Sequence, residues 1–174
     1  MTLGDFRISA TLEDGGYHRF PAPYQQMSVT LEEADFLYAL VRATRPRSVL
    51  ELGTGLGLSG FFIASALKAN GDEGTLMTLE PDEELAKQAV DLLTGLPATV
   101  AEPFGVRSDW PALVYIDSRE SNRLQDMRTW LTNGCTGLIL VHDAERQYAE
   151  LVQGIFGYGV YLPTANGMWL GRGK

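Results

Sequence analysis

The chain carries a single cysteine, Cys135, and only two histidines, His18 and His142, among 174 residues. One thiol excludes an intramolecular disulfide and a cysteine zinc cluster. Cations are also scarce: 14 Lys+Arg stand against 22 Asp+Glu, a formal net charge of -8, with no clustered basic run. Binding through duplex phosphates needs a concentrated cationic face, so nucleic acid is not an expected partner. No stretch approaches the roughly 18 apolar residues that a bilayer span requires. The start MTLGDFRISA lacks the basic and long apolar regions of a signal peptide, which makes the expected compartment the cytoplasm. What is present is ordinary for a globular domain: 45% hydrophobic and 21% charged residues, enough for one domain with its own core.

That domain is expected to fill 1–174. Residues 1–29 hold Gly15, Gly16, Pro21 and Pro23 without a sustained period and read as an irregular arm. At Thr30-Leu31-Glu32-Glu33 a capping box opens a helix over 30–45, because the threonine hydroxyl meets the amide three residues on and Glu33 reaches back. Leu31, Ala34, Tyr38 and Val41 recur at helical spacing until Pro46 stops the run. Over 47–174, the core, short β-rich runs alternate with amphipathic helix-length stretches, the pattern of βαβ units. Strands are expected at 48–52, 74–79, 98–101, 112–116 and 137–141. Helices are expected at 59–68, at 82–93 with Pro81 at its head, across Leu124, Met127 and Leu131, and across Tyr148, Leu151, Val152 and Ile155. In the helix after Pro81, the residues Leu85, Ala89, Val90 and Leu93 are assigned to one buried face. Runs at 159–162 and 168–170 flank a turn-rich joint and form an antiparallel hairpin. The expected fold class is α/β: a three-layer sandwich around a Rossmann-like, mostly parallel seven-stranded sheet with an antiparallel C-terminal hairpin.

The densest local signal is Glu51-Leu52-Gly53-Thr54-Gly55-Leu56-Gly57, where the first strand hands over to a helix. Glycines there let the backbone pass close beneath a ligand, and the helix start offers free amides. Gly55, Gly57 and Gly60 also fit G-x-G-x-x-G, and Glu80 follows where a dinucleotide fold keeps its ribose-binding acid; that reading is a nicotinamide-dependent oxidoreductase. Glu51 speaks against it, since a carboxylate ahead of the first glycine repels a pyrophosphate and attracts a cationic amino acid group. A third reading is a noncatalytic domain that keeps a cofactor fold as a binding or scaffold module.

The segment ELGTGLG resembles the first motif of the class I S-adenosylmethionine-dependent methyltransferases, and Thr78-Leu79-Glu80 resembles their second. Met27 to Ala34, Val49 to Leu58, Val114 to Asp117 and Gly137 to Asp143 are similar in order to the small-molecule O-methyltransferases of the catechol and caffeoyl-coenzyme A type. The resemblance implies methyl transfer from S-adenosylmethionine to a small-molecule acceptor at oxygen. It further implies that Glu51 holds the methionine amino group, that Gly53, Thr54, Gly55, Gly57, Ser59, Pro81 and Asp117 border the cofactor, and that Glu80 takes both ribose hydroxyls. Met27 and Val29 would touch the cofactor from the arm side. Asp117 and Asp143 fall on two of the family's metal positions, where hard oxygen ligands would hold Mg²⁺ or another divalent cation. The pattern also departs from the family: Ser118-Arg119-Glu120 stands where Ala-Asp-Lys is usual, and Ala144 stands in the place of a third ligand.

For raising acceptor nucleophilicity the candidates are Asp117, Asp143 and His142. His142, at a strand end beside Asp143, reads either as a neutral imidazole that takes the acceptor's proton or as a half-buried histidine that holds a loop. Asp117 doubles as a candidate helix N-cap with Ser118. Asn122 and Glu145 are further candidates to complete a site. Tyr17 and Tyr24 in the arm are candidates for an aromatic wall around an acceptor, whereas Trp130, Trp169, Phe61 and Phe62 are read as packing. A homodimer is compatible with a small domain that ends in a strand hairpin.

Overall fold

The structure is a computed structural model in which residues 20, 22, 29–71, 73–101, 111–132, 136–144 and 158–172 are described. Met27, the tyrosines and histidine of the arm, Cys135, Glu145 and the stretch from Tyr148 to Ile155 lie outside them.

Helix α1, Leu31–Thr44, begins as its sequence dictates, with both halves of the capping box formed between Thr30 and Glu33. It ends at Arg45, whose left-handed backbone (φ 47°) returns its N–H to Val41 before Pro46. Strand β1, Ser48–Leu52, leads through the glycine turn into α2, Leu58–Asn70, which is buried along nearly its whole length. Next come β2 (Thr75–Leu79), α3 (Glu83–Leu93), β3 (Ala98–Ala101), β4 (Leu113–Ile116), α4 (Glu120–Thr132), β5 (Leu138–His142), β6 (Gly159–Leu162) and β7 (Met168–Arg172).

The sheet order is β3-β2-β1-β4-β5-β7-β6. All pairs are parallel except those of β7, which runs antiparallel to both β5 and β6. The expected α/β fold with its reversed hairpin is therefore present. Strand residues alternate between two cores, one on each face. Val49, Leu113, Tyr115 and Leu140 pack with α1 and α2, while Leu50, Val114, Ile116, Ile139 and Val141 pack with Met127, Trp130 and Trp169 on the other side. Both strand faces are covered, which is why the strands read as nearly continuous apolar runs. Phe61, Phe62, Trp130 and Trp169 pack in these cores, with Phe61 and Phe62 edge to face at 5.7 Å. No helix among the described residues is long and apolar enough to cross a membrane.

Two local expectations need correction. Pro81 is not the first residue of α3: Asp82 is its N-cap, accepting the amides of Glu84 and Leu85 at 3.1 and 3.2 Å, which leaves the proline outside the helix. Val90 is 49% exposed, because the buried stripe runs through Ala89 and Leu93 and Val90 sits a further 100° or so around the helix.

Chain order reverses between β1 and β4: the strands after β1 build outward on one side, and those from β4 on the other. Ligands of open α/β sheets bind outside the carboxyl ends of the strands at such a point.

Candidate active site at the carboxyl edge of the sheet

The glycine turn is fixed to its neighbours by backbone bonds. Gly53 and Thr54 donate to the Leu79 carbonyl at 3.1 and 3.3 Å, and Asp117 donates to that of Leu52 at 2.8 Å. Gly53 has φ 95°, and a Cβ there would lie 2.3 Å from the Asp117 carbonyl oxygen, so only glycine lets β1 and β4 approach this closely. Gly55, at φ 52°, is the opposite case: a Cβ would meet nothing within 4 Å, because this residue faces open space. That space is a crevice of about 590 Å³ whose walls include Gly53, Gly55, Glu80, Asp117, Arg123 and Asp143.

Glu80, just past the end of β2, accepts the Gly55 amide at 2.7 Å and the Asp82 amide at 3.0 Å. Its carboxylate is thereby held against the crevice wall, with Thr54, Pro81, Asp82 and Leu85 nearby on the same lining. The Thr54 hydroxyl pairs with that of Thr78 at 2.5 Å.

Glu51 is elsewhere. Its side chain is fully buried behind the turn, where Oε1 accepts the Ser59 hydroxyl at 2.5 Å. Its Oε2 has no hydrogen-bond partner among the described residues and points at Gly60, where a Cβ would come within 2.9 Å. Burial pushes this carboxyl up to about 7, assisted by the charges of Asp117 and Glu80 and opposed by the hydrogen bonds from Ser59 and Thr78. Ser59 is likewise buried, a Cβ on Gly57 would come within 3.1 Å of Ala89, and Val29 is a core residue beside α1. Of the expected cofactor contacts, Gly53, Thr54, Gly55, Glu80, Pro81 and Asp117 converge on the crevice, whereas Glu51, Gly57, Ser59 and Val29 are not part of its wall.

On the β4 and β5 side the charges form one network. His142 is buried and donates from Nδ1 to Asp117 Oδ1 at 2.9 Å and from Nε2 to Glu33 Oε2 at 3.1 Å. Burial alone would lower its pKa, but the hydrogen bonds to Asp117 and Glu33, with the added charge of Asp143, raise it to about 10. Both ring nitrogens are engaged by carboxylates. Of the two sequence readings of His142, this arrangement matches the histidine that holds its neighbours by hydrogen bonds, since its partners are two carboxylates. Asp117 does not cap α4, which starts at Glu120. Its carboxylate is taken up by His142, and the Ser118 hydroxyl is taken up by Asp126 at 2.5 Å.

Two members of this network were not foreseen. Glu33, read only as a cap, also accepts from Thr164 Oγ1 at 2.7 Å and from the backbone and side-chain nitrogens of Asn166 at 3.1 and 3.0 Å, so it ties α1 to β5 and to the hairpin turn. Burial would raise its pKa, yet the bonds from His142, Thr30 and Thr164 hold it well below the usual carboxylate range. Arg123 on α4 places Nη2 2.6 Å from Asp143 Oδ2 and 3.8 Å from Asp117 Oδ1. Asp143 itself has φ 48°, a backbone state that aspartate tolerates better than most residues. Asp117, His142 and Asp143 offer ligand atoms that lie within 4.8 Å of one another, so the two carboxylates expected at a metal position do come together.

Comparison with known proteins gives the chain's lineage and fold. An O-methyltransferase family model matches residues 8–121, well over half of the chain. No curated protein sequence matches it. Among solved structures, the O-methyltransferase of Bacillus cereus in complex with S-adenosylhomocysteine superposes with a TM-score of 0.72 at 18% identity, over 99% of this chain and 90% of that one. The O-methyltransferase TomG of Streptomyces achromogenes, involved in tomaymycin synthesis and solved with S-adenosylmethionine, gives 0.65 at 16% identity over 99% and 89%. The Podospora anserina methyltransferase PaMTH1, bound to S-adenosylhomocysteine, gives 0.71 at 15% over 90% and 83%. At these identities the structures speak for the fold, and the family match speaks for the lineage: the chain belongs to the O-methyltransferase family, and so to the class I S-adenosylmethionine-dependent methyltransferases that its glycine motif resembles.

Proposed function

We propose that this crevice binds S-adenosylmethionine along Gly53, Thr54 and Gly55 and delivers its methyl group to a hydroxyl oxygen of a small acceptor on the Asp117–Asp143 side. The observation that carries the reading is the pairing of an unobstructed glycine backbone at Gly55 with the Glu80 carboxylate, fixed by two amides at the end of β2. A carboxylate in that position has acceptor capacity left for the two hydroxyls of a ribose. Glu51 is left out of the cofactor contacts because its oxygens turn toward Ser59 and Gly60.

The cofactor supplies an activated sulfonium methyl, so the protein has only to align the acceptor oxygen and relieve it of its proton. Asp143 is suited to removing the proton, because its side chain is 43% exposed, against 15% for Asp117. Its carboxylate accepts the hydrogen of the acceptor hydroxyl as the oxygen–carbon bond forms and the sulfur–carbon bond breaks. Asp117 is a positioning residue, locked by the His142 imidazolium.

Incubation with S-adenosylmethionine labelled in its methyl group and a panel of phenols and catechols tests the reading. Label is expected in a methyl ether, with S-adenosylhomocysteine as the co-product. Label recovered only on nitrogen, or in no product, would overturn it.

A further inference from the structure

The carboxylates in the family's metal position already have a cation, and it belongs to the chain. Arg123 reaches from α4 between Asp143 and Asp117, with Nη2 at 2.6 and 3.8 Å from the two. Asp117 and Asp143 also receive the His142 ring, at 2.9 and 3.5 Å from Nδ1. A hard divalent cation needs free carboxylate oxygens. Here one oxygen of each carboxylate is committed, Asp143 Oδ2 to Arg123 and Asp117 Oδ1 to the His142 ring. A divalent ion would also sit against the guanidinium charge. The residues as they stand do not fit one.

The guanidinium is not a surface group that swings aside. Arg123 is 8% exposed and heads the buried stripe of α4, in which Met127 and Trp130 follow at one and two turns. Its stem is packed as they are, and its charged end is delivered to the crevice wall by the docking of the helix. The local sequence matches: Ala144 offers no ligand where the family has one, and Ser118-Arg119-Glu120 replaces the usual base-bearing run.

Building on the reading of the crevice as a methyltransferase site, we propose that Arg123 takes the place of the divalent cation. Methyl transfer by this chain is then metal-independent, with the guanidinium supplying the fixed positive charge that favours the acceptor's oxyanion. Arg123 is the residue that decides whether the site takes a metal.

Mn²⁺ alone is the probe, followed by electron paramagnetic resonance of the free ion, with S-adenosylhomocysteine binding measured in parallel by calorimetry with and without chelator. The wild-type chain is expected to leave micromolar Mn²⁺ free and to bind S-adenosylhomocysteine equally in both buffers. Arg123→Met, which keeps the packed stem and removes the charge, is expected to bind Mn²⁺ at least about tenfold more tightly than wild type. Arg123→Ala serves as a second variant, and thermal unfolding followed by circular dichroism reports that each has folded. Micromolar Mn²⁺ binding by the wild type overturns the proposal, as does a folded pair of variants that gain none. Should neither variant fold, the wild-type measurement decides alone. Loss of S-adenosylhomocysteine binding in the wild type would instead sink the methyltransferase reading, since the Mn²⁺ result does not depend on it.

Discussion

Replacing Glu33 by glutamine removes one oxygen and one charge from the most heavily used side chain among the described residues. Its carboxylate accepts from Thr30 N and Oγ1, His142 Nε2, Thr164 Oγ1, and Asn166 N and Nδ2, all at 2.7 to 3.1 Å. An amide can accept on one atom only, so Glu33→Gln turns an NH₂ toward donors and strips the buried imidazolium of one of its two carboxylate partners. Breaking a buried pair from one side costs about 3–5 kcal/mol. For a domain of this size that corresponds to a drop in Tm of about 6–20 °C.

The pH profile makes the test sharper. His142 has a folded pKa raised from 6.5 to about 10, so its stabilisation is fully present below 6.5 and is lost as pH rises toward 10. Glu33 has a depressed folded value, so its share is present above 4.5 and is lost as pH falls below it. Thermal unfolding followed by circular dichroism should therefore show wild-type stability declining on the alkaline side. In Glu33→Gln that alkaline decline should shrink, because the imidazolium has lost a partner. A loss below about 1 kcal/mol, or an alkaline slope equal to the wild type's, would refute the buried network as described.

Three other outcomes follow from the same geometry. Gly53→Ala must place a methyl 2.3 Å from the Asp117 carbonyl in a left-handed backbone, and is expected to separate β1 from β4, read as a lowered Tm together with lost S-adenosylhomocysteine binding. Glu80→Ala leaves the core intact but frees the Gly55 amide, and should weaken S-adenosylhomocysteine binding at least about tenfold in calorimetry with little change in Tm. On α3, Leu93→Ala should cost about 2–5 kcal/mol in urea unfolding, while Val90→Ala should stay within about 0.5 kcal/mol, since only the first empties a packed site.

The strands and helices that carry the site were legible because their signals are local. The capping box, the Pro46 stop and the alternation of short apolar runs with helical spacing each depend on neighbours a few residues away. The roles of Glu33 and Arg123 were not local. The partners of Glu33 at His142, Thr164 and Asn166 lie 109, 131 and 133 residues downstream, joined to it only when the hairpin returns beside β5. Arg123 left a readable trace: it stands one turn before Met127 on a stripe otherwise apolar, and a charge there has to find a partner at the sheet edge. The direction of Glu51 was legible from strand parity. Strand parity sets it opposite in direction to Leu50 and Leu52, which pack in the core containing α4 residues, so its side chain had to point toward α2 and Ser59. The choice between cofactors rests on the family match.

Everything said of catalysis stands on the crevice between the glycine turn and Glu80 being a site for S-adenosylmethionine. Isothermal titration of the purified chain with S-adenosylhomocysteine measures this, after any cofactor carried through purification has been removed. One site per chain at micromolar strength, unchanged by chelator, is the expected result. An absence of heat from a protein shown by circular dichroism to be folded would contradict the assignment.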